Sequence, residues 1–153
     1  MRYLAICLLA LGFSAGAAEP APSLVVPTLA GGTFDLGALK GHPVIVNFWA
    51  TWCVPCRAEM PMLSKFYARH HGEGLEMIGV SVDQPRDLPK VQKAAGTVAY
   101  PIAVARDAKQ NGFPAVNALP VTYVIDAKGA VKARLTPDDE ELTEDELASL
   151  IKP

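Results

Sequence analysis

The sequence predicts an α/β fold with a central mixed β-sheet flanked by helices, and three observations carry that reading. The run Val44-Ile45-Val46-Asn47-Phe48-Trp49-Ala50 is β-branched and aromatic, as suits a strand buried on both faces. A helical pattern follows it, with Met60, Leu63, Phe66 and Tyr67 recurring at three- and four-residue spacings, and then a second apolar run, Leu75 to Val82. Strand, helix and strand make a βαβ unit with a right-handed crossover. Nearer the C-terminus, Val121 to Ile125 and Val131 to Leu135 flank the turn Asp126-Ala127-Lys128-Gly129, an antiparallel hairpin that makes the sheet mixed.

The chain has 153 residues and a formal charge of −2, enough for one domain with its own core. Residues 1–18 read as a signal peptide: Arg2, an apolar stretch from Tyr3 to Phe13, then small residues before Glu19-Pro20. Residues 19–153 form the expected domain of an exported protein, periplasmic or its cell-envelope equivalent. An uncleaved leader acting as a membrane anchor is the alternative, although the apolar stretch is short for a span. Loss of the leader removes Cys7, and loss of its one charge, Arg2, takes the formal charge from −2 to −3.

Pro20, Pro22 and Pro27 mark a linker into a small N-terminal hairpin, Leu24 to Val26 and Thr33 to Asp35, separated by Gly31-Gly32. Leu36 to Leu39 suits one helical turn. Pro61 lies inside the long helix and predicts a kink, and Gly72 or Gly74 ends it. Leu88 to Ala95 suits a modest helix with Pro89 in its first turn, Ile102 to Ala105 a short strand, and Ala108 to Phe113 a short helix or loop. Thr143 with Glu146 three residues later reads as a capping box that starts a last helix through Ile151.

The chemistry gathers at Trp52-Cys53-Val54-Pro55-Cys56, where the buried strand passes into the helix. A thiolate is the attacking species in disulfide exchange, and unpaired N–H groups at a helix start stabilise it. Cys53 is placed to be the nucleophile, and Cys56, one turn on, to resolve the mixed disulfide. A purely structural staple closing so small a loop would remove little unfolded-state entropy, so redox chemistry explains the pair better. Pro55 fits the first helical turn, Val54 is uncharged and small enough to leave Cys53 accessible, and Trp52 either meets a substrate or packs. Trp49 belongs to the core.

The stretch Asn47 to Pro61, taken with Leu119-Pro120-Val121-Thr122-Tyr123-Val124-Ile125-Asp126, resembles the TlpA-like and ResA-like exported thiol-disulfide oxidoreductases of the thioredoxin superfamily. That resemblance implies a thioredoxin-like fold with an N-terminal hairpin extension. It also implies a cis Leu119-Pro120 bond that faces the dithiol, leaving the Leu119 backbone available to an extended substrate. It further implies that Glu59 lies near the thiols, where like charge or proton relay tunes them. Asn47 stands where ordinary thioredoxins resemble one another in a buried Asp, which shifts attention to Glu59. The expected activity is reduction of protein disulfides, with electrons from a membrane thiol donor. No cofactor is expected beyond the redox-active Cys53–Cys56 disulfide.

Other readings stand beside it. Oxidase and isomerase directions share the chemistry. Thiol peroxidases of the broader fold resemble one another in a Thr three residues before the reacting Cys, a position held here by Ala50, with Thr51 one residue late. A soft-metal module would find only two thiolates, an incomplete ligand set. His42, His70 and His71 suit capping or solvated roles, and the acidic residues between Asp138 and Glu146 suit a solvated loop and helix start. No basic tract points to nucleic acid. The oligomeric state is not encoded in any motif, and a monomer is the default expectation.

Overall fold

The structure, a computed structural model, describes residues 18–139 and 142–152. Residues 1–17 of the expected leader, Cys7 among them, and the acidic residues 140–141 therefore lie outside the described residues.

Five strands make the central sheet: β3 (Val44–Trp49), β4 (Glu76–Ser81), β5 (Ile102–Val104), β7 (Val121–Ile125) and β8 (Val131–Leu135), in the order β5-β4-β3-β7-β8. β3 runs parallel to β4 and antiparallel to β7, so the sheet is mixed about its central strand. All six residues of β3 are buried, because both its faces are covered. Alternate side chains separate into two cores. Ile45 and Trp49 pack with the helices α1 (Val54–His70), α2 (Leu88–Ala95) and α3 (Glu144–Ile151), while Val44, Val46 and Phe48 pack with the N-terminal hairpin. Two right-handed crossovers stepping the same way along a sheet place their helices on one face, and α1 and α2 do contribute to one core.

The opposite face is covered by β1 (Leu24–Pro27) and β2 (Thr33–Asp35), the expected hairpin, whose Leu24, Val26 and Phe34 are buried. A third strand joins them. β6 (Gln110–Asn111) pairs antiparallel with β1, matching Leu24 to Asn111, where a short helix or loop is expected from the sequence. Two exposed polar residues carry no periodicity of their own. Only a partner strand from the other end of the chain makes them a strand.

α1 runs through Pro61 as one unbroken helix, then tightens into a short 3-10 turn, His71–Glu73. Gly74 ends it with φ 101°, a left-handed conformation that glycine adopts without a Cβ clash. Leu36–Leu39 is a 3-10 turn capped by Asp35, whose carboxylate accepts from the Gly37 N–H at 2.9 Å. Gly129 supplies the positive φ, 84°, that the turn between β7 and β8 requires. Thr143 caps α3 as expected, its hydroxyl accepting from the Glu146 N–H at 3.2 Å.

Candidate active site

β3 delivers the chain to the top of the sheet at Trp49, and a tight turn closed by the Cys53 N–H to the Ala50 carbonyl, 3.1 Å, reverses it into α1. Cys53 is the N-cap of that helix. Its Sγ accepts from the Cys56 N–H at 3.2 Å, occupying one of the donors a helix start leaves unpaired. Those donors, with the helix dipole behind them, would stabilise a thiolate at Cys53. Cys53 and Cys56 are joined as a disulfide with their Cα atoms 5.3 Å apart. Pro55 sits in the first turn, where no intrahelical donor is lost.

Accessibility departs from the sequence reading in one respect. Val54 is small, yet Cys53 is only 5% exposed and Cys56 2%, whereas Trp52 is 66% and Val54 68% exposed. The two apolar side chains stand out while the sulfurs sit below them. Trp49, in contrast, is fully buried.

The wall opposite the dithiol is the segment before β7. The Leu119–Pro120 peptide is cis. Leu119, Val116, Asn117 and Ala118 share with Trp52, Cys53 and Pro55 a cavity of about 310 Å³ that contains no charged side chain. Cys53 opens onto it and Cys56 does not. Pro120 is buried and lines a second, much smaller cavity of about 20 Å³, together with Glu59, Thr122 and Glu146. The structure thus brings Glu59 and Pro120 to one cavity, which neither cysteine lines. It adds Glu146, which the sequence assigns only to a helix cap.

Glu59 is partly buried on α1, one turn beyond Cys56. Its charge reaches Tyr100, whose hydroxyl is pushed far up from the ordinary tyrosine value, first by burial and then by Glu59. The Tyr100 hydroxyl and the Trp49 Nε1 are both buried without a hydrogen-bond partner among the described residues. Asn47, buried in β3, donates from Nδ2 to the Thr122 hydroxyl at 2.9 Å and so ties β3 to β7 beneath the site.

Asp83 is the positioning residue that sequence reasoning missed. It lies just past β4, 4% exposed, and accepts from the Thr51 N–H at 2.9 Å and the Thr51 hydroxyl at 2.6 Å. The Ser81 hydroxyl also donates to it, at 2.7 Å. Asp83 therefore pins the turn that carries Trp52 and Cys53 to the neighbouring strand. The Thr51 hydroxyl is engaged there, while Ala50, three residues before Cys53, offers no hydroxyl. A serine two residues before an aspartate at a strand end is the only local signal.

The remaining candidates take structural positions. His42 Nδ1 meets the Gly74 carbonyl at 3.0 Å, His71 Nδ1 the Leu75 carbonyl at 3.0 Å, and His70 pairs with Glu73 at 2.8 Å. Of the acidic residues, Asp139 caps Thr136 and Glu144 pairs with Arg69 at 2.9 Å. Among the described residues no group of three or more His, Cys, Asp or Glu side chains is arranged to hold a metal ion, and no helix is long and apolar enough to cross a membrane.

A dithiol heading a helix on the central strand of a mixed sheet, faced by a cis X–Pro peptide, defines a thioredoxin-superfamily protein of thiol-disulfide chemistry. Residues 17–134 match the model of the AhpC/TSA family. The thiol-disulfide oxidoreductase ResA of Bacillus thuringiensis (strain Al Hakam) is 33% identical over 134 residues, covering 88% of this chain and 76% of that protein. ResA of Halalkalibacterium halodurans is 29% identical over 164 residues, covering 100% and 93%. The crystal structure of a thiol:disulfide interchange protein, a thioredoxin family protein from Chlorobium tepidum TLS, superposes with a TM-score of 0.75 at 29% identity, covering 90% of this chain and 97% of that one. The chain belongs to the AhpC/TSA family and is a thiol-disulfide oxidoreductase of the thioredoxin superfamily, similar to the ResA proteins. The resemblance read from Asn47 to Pro61 is borne out.

Proposed function

We propose that this oxidoreductase works as a reductase of protein disulfides, with Cys53 as nucleophile and Cys56 as resolving thiol. The observation that carries the assignment is the asymmetry of the pair: Cys53 caps α1 and opens onto the uncharged cavity beside Leu119, while Cys56 is covered. In the reduced enzyme the Cys53 thiolate attacks one sulfur of the substrate disulfide, forming a mixed disulfide and expelling the other substrate sulfur as a thiolate. Cys56, as thiolate, then attacks the Cys53 sulfur. The Cys53–Cys56 disulfide forms, the second substrate thiol leaves, and two electrons have passed to the substrate. The wall at Leu119 and Pro120 receives an extended substrate segment, and Trp52, Val54 and Pro55 form its apolar rim.

Glu59 handles the proton that the thiols release and regain. Its place one turn from Cys56 and its reach to Tyr100 support that role. The leader read from residues 1–18 supports export to the periplasm or its equivalent. A thiol donor at the membrane would return the disulfide to the dithiol.

The test has two parts. Cys56→Ala should trap clients on Cys53 as mixed disulfides that mass spectrometry identifies, and Cys53→Ala should trap none; an empty trap in the Cys56 variant counts against the mechanism. Equilibration with a dithiothreitol buffer fixes direction, since about 30 mV corresponds to about 1.4 kcal/mol in a two-electron couple. A strongly reducing potential is expected, and a strongly oxidising one would reverse the proposed flow. Glu59→Gln should displace the pH profile of Cys53 alkylation. An unchanged profile would remove Glu59 from the mechanism.

A further inference from the structure

The turn from Ala50 to Cys53 has a cavity on each side. The one beside Leu119 has no charged lining, whereas the other, of about 330 Å³, lies between the start of α1 and α2 and is lined by Thr51, Arg57, Lys90, Lys93, Ala94 and Thr97 over a floor of buried Trp49. No acidic side chain lines it. Lys90 is paired with Asp87 at 2.8 Å, while Arg57 and Lys93 have no carboxylate within ion-pairing distance among the described residues. The carboxylate of Asp83 accepts from Thr51 and Ser81, does not line this cavity and forms no ion pair with its cations. Arg57 directly follows Cys56 in sequence, and all three cations are exposed. A chain whose formal charge is −2 thus presents uncompensated positive charge beside its dithiol, with several of its carboxylates gathered instead near the start of α3.

We propose that this cavity binds an acidic side chain of the substrate polypeptide, an Asp or Glu within a few residues of the disulfide, while the uncharged cavity takes the other flank. The inference rests on the dithiol mechanism proposed above and names its substrate class: disulfides with acidic neighbours. Opposite charges at such a site speed encounter and fix the register of the bound strand, and both effects fall with ionic strength.

The reduced full-length protein can be mixed with three synthetic disulfide peptides, identical except for two residues flanking one cysteine, which are Glu, Gln or Lys. The rate of peptide reduction should be about fivefold higher for the Glu peptide than for the Gln peptide, the ratio that two exposed charge pairs supply, and lowest for the Lys peptide. High salt should compress the series. In the Arg57→Ala/Lys93→Ala variant the Glu-to-Gln ratio should fall close to one. The ratio separates docking from any general effect of Arg57 on the adjacent thiol, and Lys93→Ala alone, remote from the sulfurs, should lower it partway. Equal rates for the three wild-type reactions, or a ratio that survives the double substitution, would overturn the proposal while leaving the dithiol mechanism intact. Failure to reduce any of the peptides would overturn both.

Discussion

Asp83 shows how much one side chain can hold. Its carboxylate satisfies two donors of Thr51 and one of Ser81. Removing a buried acceptor leaves its donors desolvated and unpaired, so Asp83→Ala should cost about 2–4 kcal/mol of stability in urea denaturation. It should also slow reduction of a model disulfide, because the turn before Cys53 loses its anchor. Tyr100 gives a second prediction. Its hydroxyl titrates well above the ordinary value of 10.0 in the folded chain, so the unfolded chain gives up this proton first as pH rises. The stability linked to neutral Tyr100 is fully present below the ordinary value and declines above it, until the raised folded-state pKa is passed. One pH unit above the ordinary value the loss is about 1.4 kcal/mol. Tyr100→Phe should therefore flatten the fall in stability between pH 8 and pH 11, as measured by denaturant titration. Cys53, Cys56 and Trp49 were legible because their roles follow from spacing and neighbours along the chain. Asp83 and Tyr100 were not, because what makes each important arrives from a different element.

At the scale of elements, the contact between β4 and its surroundings depends on an absent side chain. A Cβ at Gly79 would lie 2.6 Å from Ile102 Cδ1, 3.0 Å from the Tyr100 ring and 3.2 Å from Trp49 Nε1. Trp49 begins the active-site turn, so the crowding would be felt there. Gly79→Ala should destabilise the protein by about 1–3 kcal/mol, a fall of about 3–9 °C in Tm by calorimetry. The strands with strong apolar runs, β3, β4 and β7, could be read from the sequence, as could α1 and the capped start of α3. β6 could not. Its residues Gln110 and Asn111 gain strand geometry from β1, and nothing within the segment announces that pairing. Pro61 lies inside α1 without ending it, and Met60, Leu63 and Phe66 of that helix pack into the core.

Over the whole molecule, rigidity is graded away from the centre. β3 has a bonded strand on each side and a core on each face, whereas residues 112–119, of which 116–119 share a cavity with Cys53, form no strand or helix. Hydrogen exchange should be slowest in β3, β4 and β7 and fastest in β6 and residues 112–119. Equal protection in the two sets would contradict this grading. The topology was readable from the alternation of strand and helix and from the closing hairpin. The pairing of the N-terminal hairpin with a distant strand, and the charge placed on either side of the dithiol, emerge only when the chain is closed.

Trp52 and Val54, exposed on either side of a nearly buried Cys53 in the chain, would restrict what can reach its sulfur. A broad, rigid surface laid against the enzyme would come to rest on these two side chains and hold its own sulfurs clear of the thiolate. A disulfide carried on a slack or extended strand can dip between them and reach in-line geometry. Under the reductase function proposed above, a disulfide in a loose polypeptide should react faster than the same disulfide in its folded owner, a ratio that parallel rate measurements on the two forms would read.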